Sequence, residues 1–365
     1  MAEPAPFTAL GEPDLERRVA ADVAHLAAAV SSALGSSLRA LLLGGGYGRG
    51  EGGGRRDADG TWRPLNDYDL VAVVDGVRRW QLGRLRERLG RLAELLAEEL
   101  NLEIELSPLR VDDLPRLPFT MMWCELFAEP RVIAGDPRAL DGRRRLAPAE
   151  LPQLEAVRYL GNRAALLLWS RLEPLPPERA WKFVAKAWLA AGAAALIGTG
   201  EFAVGYAARQ RRLESLSPGD LPPVVDLPAR HAAAVAERLA PSAPPASLDA
   251  EVEAAVAGLL ATWRWCEGRR LGWEPARWGD YALRPGSFRE GKLAAAGNLM
   301  RQLRAFGLSG IRPGWAALEP PRARVARTLP TALAGEGIDA ACRLLACEPA
   351  QVPGTCLALW RRFNA

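Results

Sequence analysis

The chain has 365 residues, of which 49% are hydrophobic and 25% charged, and a formal net charge of +4. That length supports two domains with their own cores, the composition is that of a folded globular chain, and so small a charge does not by itself argue nucleic-acid binding. No run of about 18 apolar residues is free of charge, and the N-terminus is acidic and Pro/Ala-rich, so neither a membrane span nor a signal peptide is expected and the cytoplasm is the expected location.

Apolar positions at helical spacing from Asp14 to Leu34 predict a leading helix. Leu38 to Leu43 is short and apolar apart from Arg39, and it stops at three glycines, which predicts a buried strand ending in a turn. Gly52 to Pro64 is polar and Gly-rich and is expected to be a surface loop. Leu70-Val71-Ala72-Val73-Val74 is rich in β-branched residues and predicts a second buried strand; Leu at helical spacing then predicts a helix over Val77 to Glu99. Residues 101–106 alternate strictly, placing Leu102, Ile104 and Leu106 on one strand face and Glu103 and Glu105 on the other. A short strand is expected over Arg131 to Pro137.

From Glu150 the pattern becomes helical, with a break at Pro174 to Pro177 and a further helix from Asp249, a candidate N-cap, to Arg270. Helices are also expected over Lys292 to Phe306 and Ile338 to Leu345, with Pro-rich connectors at Pro218 to Pro228 and Pro241 to Ser247. The expectation is an α+β protein: a domain over residues 1–147 with a small mixed sheet and flanking helices, then an all-helical domain over 148–365. Trp169, Trp181, Trp188 and Tyr206 have the spacing of core residues rather than of a base-stacking platform.

Two motifs carry chemistry. The run Gly44-Gly45-Gly46-Tyr47-Gly48-Arg49-Gly50-Glu51 follows a strand, and glycines there let the backbone turn tightly and bring N–H groups up to a phosphate. Its spacing matches neither the dinucleotide fingerprint nor the P-loop. In Asn66-Asp67-Tyr68-Asp69 the two aspartates are two apart at the start of a strand. They therefore share a side, and their mutual repulsion calls for a divalent cation. Glu103 or Glu105 from the alternating strand would complete a three-carboxylate cluster. The cysteines, Cys124, Cys266, Cys342, Cys347 and Cys356, form no Cys-x-x-Cys pair and only His25 and His231 accompany them, which argues against a disulfide framework and a zinc site.

This order of glycine turn, Asp-x-Asp and later acidic strand resembles the nucleotidyltransferase superfamily of DNA polymerase β type. The run Gly45 to Glu51 is similar to the signature of bacterial protein uridylyltransferases. The resemblance covers about residues 38–136. It implies Mg2+- or Mn2+-dependent transfer of a nucleoside monophosphate from a nucleoside triphosphate, in a cleft between the two domains. It further implies that Gly45 and Gly46 contact the triphosphate and that Asp67, Asp69 and Glu105 bind metal and carry catalysis, with Glu103 the alternative to Glu105. Arg49 would hold phosphate or brace the turn. Only Lys182, Lys186 and Lys292 occur among 47 basic residues; the first two share a helix face, and the resemblance favours Lys186 as a triphosphate ligand.

Asn66 stands where that family usually has Ser, the loop from Glu51 to Asp67 is longer than in the uridylyltransferases, and no His-Asp pair exists for their hydrolase domain. The expected acceptor is a small molecule such as an aminoglycoside-like or sugar compound, then a protein side chain. Nucleic acid ranks third and is not expected, because no basic stripe stands out. The competing class is a non-catalytic nucleotide-binding or toxin-antitoxin-type protein.

Overall fold

The computed structural model describes residues 5–145, 147–288, 291–312 and 314–363, with the backbone alone at 291–293. The chain is mixed α+β and divides into two units. The first comprises Met1–Leu151 and two later segments, Phe202–Arg211 and Ala236–Ser242; the second comprises the remainder.

In the first unit the elements run α1 (Pro13–Leu34), β1 (Leu38–Leu43), a single helical turn α2 (Gly45–Gly48), β2 (Gly54–Arg56), β3 (Trp62–Pro64), β4 (Asp67–Val74), α3 (Leu82–Leu100), β5 (Glu103–Arg110), α4 (Met121–Ala128) and β6 (Arg131–Gly135). The sheet order is β5-β4-β1-β6, with β4 and β5 parallel and β1 antiparallel to both β4 and β6.

Strand periodicity sorts the side chains. Tyr68, Leu70, Ala72 and Val74 of β4, with Ile104 and Leu106 of β5, pack on Leu15, Val19, Leu26 and Val30 of α1 and Leu89 and Leu96 of α3. The other face is covered more thinly, by a smaller core that joins Leu42, Val73 and Leu109 to Leu126 and Phe127 of α4. The starts of β4 and β5 present Asp67, Asp69, Glu103 and Glu105 at the alternate positions, none of them fully buried.

Three local expectations need correction. Gly52 to Pro64 is not a plain loop: β2 and β3 form a hairpin with Arg55 opposite Arg63, closed by a turn in which Gly60, at φ +85°, donates to the Asp57 carbonyl at 2.9 Å. Asp57 pairs with both arginines and so neutralises charges that made the segment read as irregular. β5 runs on to Arg110 through Pro108, which is permitted because β5 is a sheet edge. The helix from residue 248 has Ser247, not Asp249, at its N-cap.

The remaining helices are α5 (Gln153–Leu172), α6 (Pro177–Thr199), α7 (Tyr206–Ser215), α8 (Leu227–Leu239), α9 (Leu248–Leu271), α10 (Trp278–Leu283), α11 (Gly291–Phe306), α12 (Pro321–Ala334), α13 (Ile338–Leu345) and α14 (Val352–Phe363). In the second unit α5, α6 and α9 pack together and α12 packs on α10, α13 and α14. Gly258 of α9 leaves room for the ring of Trp188. Trp263, Trp278 and Tyr281 meet edge to face with centroids 5.7–6.5 Å apart. The buried Arg327–Glu319 ion pair is closed at 2.7 Å. By length and composition alone, two helical stretches, Pro13–Ser37 and Pro177–Thr199, are long and apolar enough to cross a membrane, though each carries charged residues. In the fold, α6 is mostly buried and α1 lays its apolar side on the sheet.

Candidate metal and nucleotide site

Register brings the acids together. In the parallel pair β4–β5, Asp69 stands opposite Glu105 and Asp67 opposite Glu103. Asp67, Asp69 and Glu105 each offer a carboxylate oxygen within 4.8 Å of the others; among the described residues they form the one group of this kind, and Glu103 is not in it. Three carboxylates so close repel one another. The pKa of Asp69 is pushed up to about 7 by burial first and then by the charges of Asp67 and Glu105, with Arg238 and Arg49 pulling the other way.

The glycine turn lies directly against this cluster. The Gly44 N–H donates to the Asp69 carbonyl at 2.7 Å, and a Cβ at Gly45 would collide with Asp69 Oδ2. Gly45 also holds φ +59°, so both its conformation and its closeness to the carboxylate require glycine. The turn closes through Gly48 donating to Gly44 and Glu51 donating to Gly46, each at 2.8 Å. The first amides of a helical turn have no partner within the helix. Asn66 enters β4 at φ +72°, a left-handed conformation that Asn tolerates better than Ser.

Tyr47 pins the turn from below. It is buried, its hydroxyl sits 2.8 Å from the Gly53 and Leu65 carbonyls and accepts from the Leu65 N–H, and its ring lies 4.9 Å from that of Tyr68. Tyr68 in turn donates to Asp22 of α1 at 3.0 Å. Arg131 at the start of β6 donates to the Tyr47 carbonyl at 3.2 Å.

Arg49 braces the turn. Its guanidinium pairs with Glu51 at 3.4 Å and with Glu125 of α4 at 3.2 Å. Glu125 also pairs with Arg209, from the Phe202–Arg211 segment, and Arg209 is 2% exposed. Burial first, and then the charge of Arg49, pushes the Arg209 pKa down to about 9. Tyr206 stands beside both arginines, its ring centre 5.7 Å from Arg49 and 5.8 Å from Arg209. Tyr206 is therefore a half-buried member of this network and not a core residue as its spacing had suggested. Of the tryptophans read as core, Trp188 is buried, whereas Trp169 and Trp181 are only half-buried.

At the other side of the cluster Arg238 approaches Asp67 Oδ1 at 3.6 Å. It comes from the Ala236–Ser242 segment, where the carbonyls of Arg238 and Leu239 close on Gly53 and leave no space for a side chain there. Glu125, Arg209 and Arg238 were not visible as site residues in the sequence. Each lies in a helix remote from the motifs, and nothing in its immediate neighbours distinguishes it from the chain's many other charged residues. Lys182 and Lys186 are carried by α6 of the second unit, exposed and half-buried respectively, and the side chain of Lys292 lies outside the described residues. No protein-family model matches the chain, and no curated protein matches it in sequence.

Proposed function

We propose that the protein is a Mg2+- or Mn2+-dependent nucleotidyltransferase of DNA polymerase β type, moving a nucleoside monophosphate from a nucleoside triphosphate to a hydroxyl or phosphate acceptor. One observation carries the reading: carboxylates of Asp67, Asp69 and Glu105 within 4.8 Å of one another, against a bare-backbone glycine turn. The donor set fits a hard divalent cation, since it consists of carboxylate oxygens alone, all within 4.8 Å of one another. When bound there, the metal would offset the triphosphate charge and make an acceptor hydroxyl more acidic.

The chain's own groups take the remaining tasks. Amides of Gly45 and Gly46 offer hydrogen bonds to phosphate oxygens without an intervening side chain. Asp67 and Asp69 would hold the cation on β4, whose start is tied to the glycine turn by the backbone bond from Gly44 to Asp69. Glu105, the most exposed of the three, accepts the acceptor's proton as its oxygen forms a bond to the α-phosphorus. The bond from that phosphorus to the bridging oxygen breaks, and pyrophosphate leaves with its electron pair. Arg49, held by Glu51 and Glu125, keeps the turn in shape.

The test is incubation with each α-labelled nucleoside triphosphate, Mg2+ or Mn2+ and a cell extract. Label should appear in a metabolite or a protein band with release of pyrophosphate, and Asp67→Asn and Asp69→Asn should each reduce the rate by about a thousandfold or more, as loss of a metal ligand in such chemistry implies. Triphosphate binding without pyrophosphate release in every extract would instead favour the non-catalytic class.

A further inference from the structure

The start of α3 carries charge where helix stability disfavours it. Six arginines and one acid, Glu87, lie between Arg78 and Arg91, and all are exposed, whereas Glu94, Glu98 and Glu99 follow toward the other end. The helix macrodipole disfavours Arg84 in the first turn and Glu98 and Glu99 in the last. Local pairing relieves it only in part, through Arg79 with Asp113 at 3.1 Å and Arg88 donating to the Ala33 carbonyl at 2.7 Å.

A cavity of about 360 Å3 opens at the same place, between the end of α1, the turn after β4 and the first turns of α3. The charged residues among its described lining are Arg84 and Arg88. Trp80 stands at its edge and is 66% exposed, the most exposed aromatic side chain among the large hydrophobics on the surface. A large aromatic held in water beside two guanidinium groups and a cavity of one-nucleotide size has the makings of a stacking platform.

We propose that this face binds single-stranded nucleic acid, with a base stacked on Trp80 and the adjoining phosphates held by Arg84 and Arg88. An acidic peptide would use the arginines but leave the indole face and the cavity unused, so the combination favours nucleotides. The surface adjoins the end of β4 at Val74, while Asp67 opens the same strand. The two sites are therefore on the order of 20 Å apart at 3.3 Å per strand residue. The inference does not rest on the proposed reaction. It revises the sequence expectation about nucleic acid, because the basic residues become a patch only once the turn after β4 places Trp80 and the cavity beside them.

Fluorescence anisotropy with a labelled 12-nucleotide oligouridylate in EDTA tests it without engaging the acid cluster. Wild-type protein should bind, more weakly as salt rises. Trp80→Ala should weaken binding about tenfold, in keeping with the loss of one stacked base. Arg84→Gln should weaken it severalfold and lower the salt slope by about 0.7. Both side chains are exposed, and unchanged melting temperatures will show that the variants fold. No binding by the wild type, equal binding by both variants, or equal competition by polyglutamate with Trp80→Ala without effect overturns the proposal.

Discussion

Gly45 is the residue at which conformation and chemistry meet. A methyl group there would demand a left-handed backbone from alanine and would occupy the space of Asp69 Oδ2. Gly45→Ala should therefore cost about 1–3 kcal/mol of stability and displace one carboxylate of the cluster. The expected result is a lower melting temperature together with a loss of divalent-cation affinity of at least about tenfold, read by calorimetry. A variant that binds cation normally would show that the turn and the acids are independent. Asp69 makes a second prediction. Its pKa lies near 7 in the folded chain and at the ordinary carboxylate value of 3.8 when unfolded, so the folded, metal-free protein holds the extra proton between those values. Metal-free stability should thus be greatest below about pH 4 as far as this group is concerned, decline as pH rises toward 7, and level off above it. Cation binding expels that proton, so Mn2+ affinity should rise through the same window; a flat profile from pH 5.5 to 8 contradicts this.

At the scale of elements, the parallel pairing of β4 and β5 does what neither strand does alone. Register sets Glu105 across from Asp69 and leaves Glu103 across from Asp67, at the outer end. The alternation of β5, the β-branched run of β4 with its paired aspartates and the glycine stop after β1 were legible in the sequence because each is a local pattern. The choice between Glu103 and Glu105 was not, since both occupy the same face and pairing register is a long-range property. The hairpin of β2 and β3 escaped notice because its strands are three residues each and carry arginines that only Asp57, in the turn, neutralises. The brace of Arg49, Glu125 and Arg209 joins three elements far apart in sequence, and no local periodicity encodes it. Arg209→Gln should destabilise the protein by about 3 kcal/mol, the usual effect of breaking a buried ion pair from one side. Thermal denaturation will measure it, and a change below about 0.5 kcal/mol would show that Glu125 and Arg49 hold the turn without it.

At the scale of the molecule, the sequence boundary near residue 147 describes where the strands end but not the make-up of the first unit. Phe202–Arg211 and Ala236–Ser242 belong to it and contribute Arg209 and Arg238, one to the brace and one beside Asp67. Periodicity marks helices but cannot say which unit a helix end packs against. The second unit is a bundle with its own aromatic cluster and buried ion pair. The proposed function depends on one place in this architecture, where the acids of β4 and β5 would share a divalent cation beside the glycine turn. Mn2+ binding in the presence of a non-hydrolysable nucleoside triphosphate, followed by electron paramagnetic resonance, tests it most directly. Wild-type and Glu103→Gln proteins should bind alike, and Asp67→Asn, Asp69→Asn and Glu105→Gln should each lose about a hundredfold or more in affinity. Undiminished Mn2+ binding in these three variants, or equal losses in Glu103→Gln and Glu105→Gln, would contradict it.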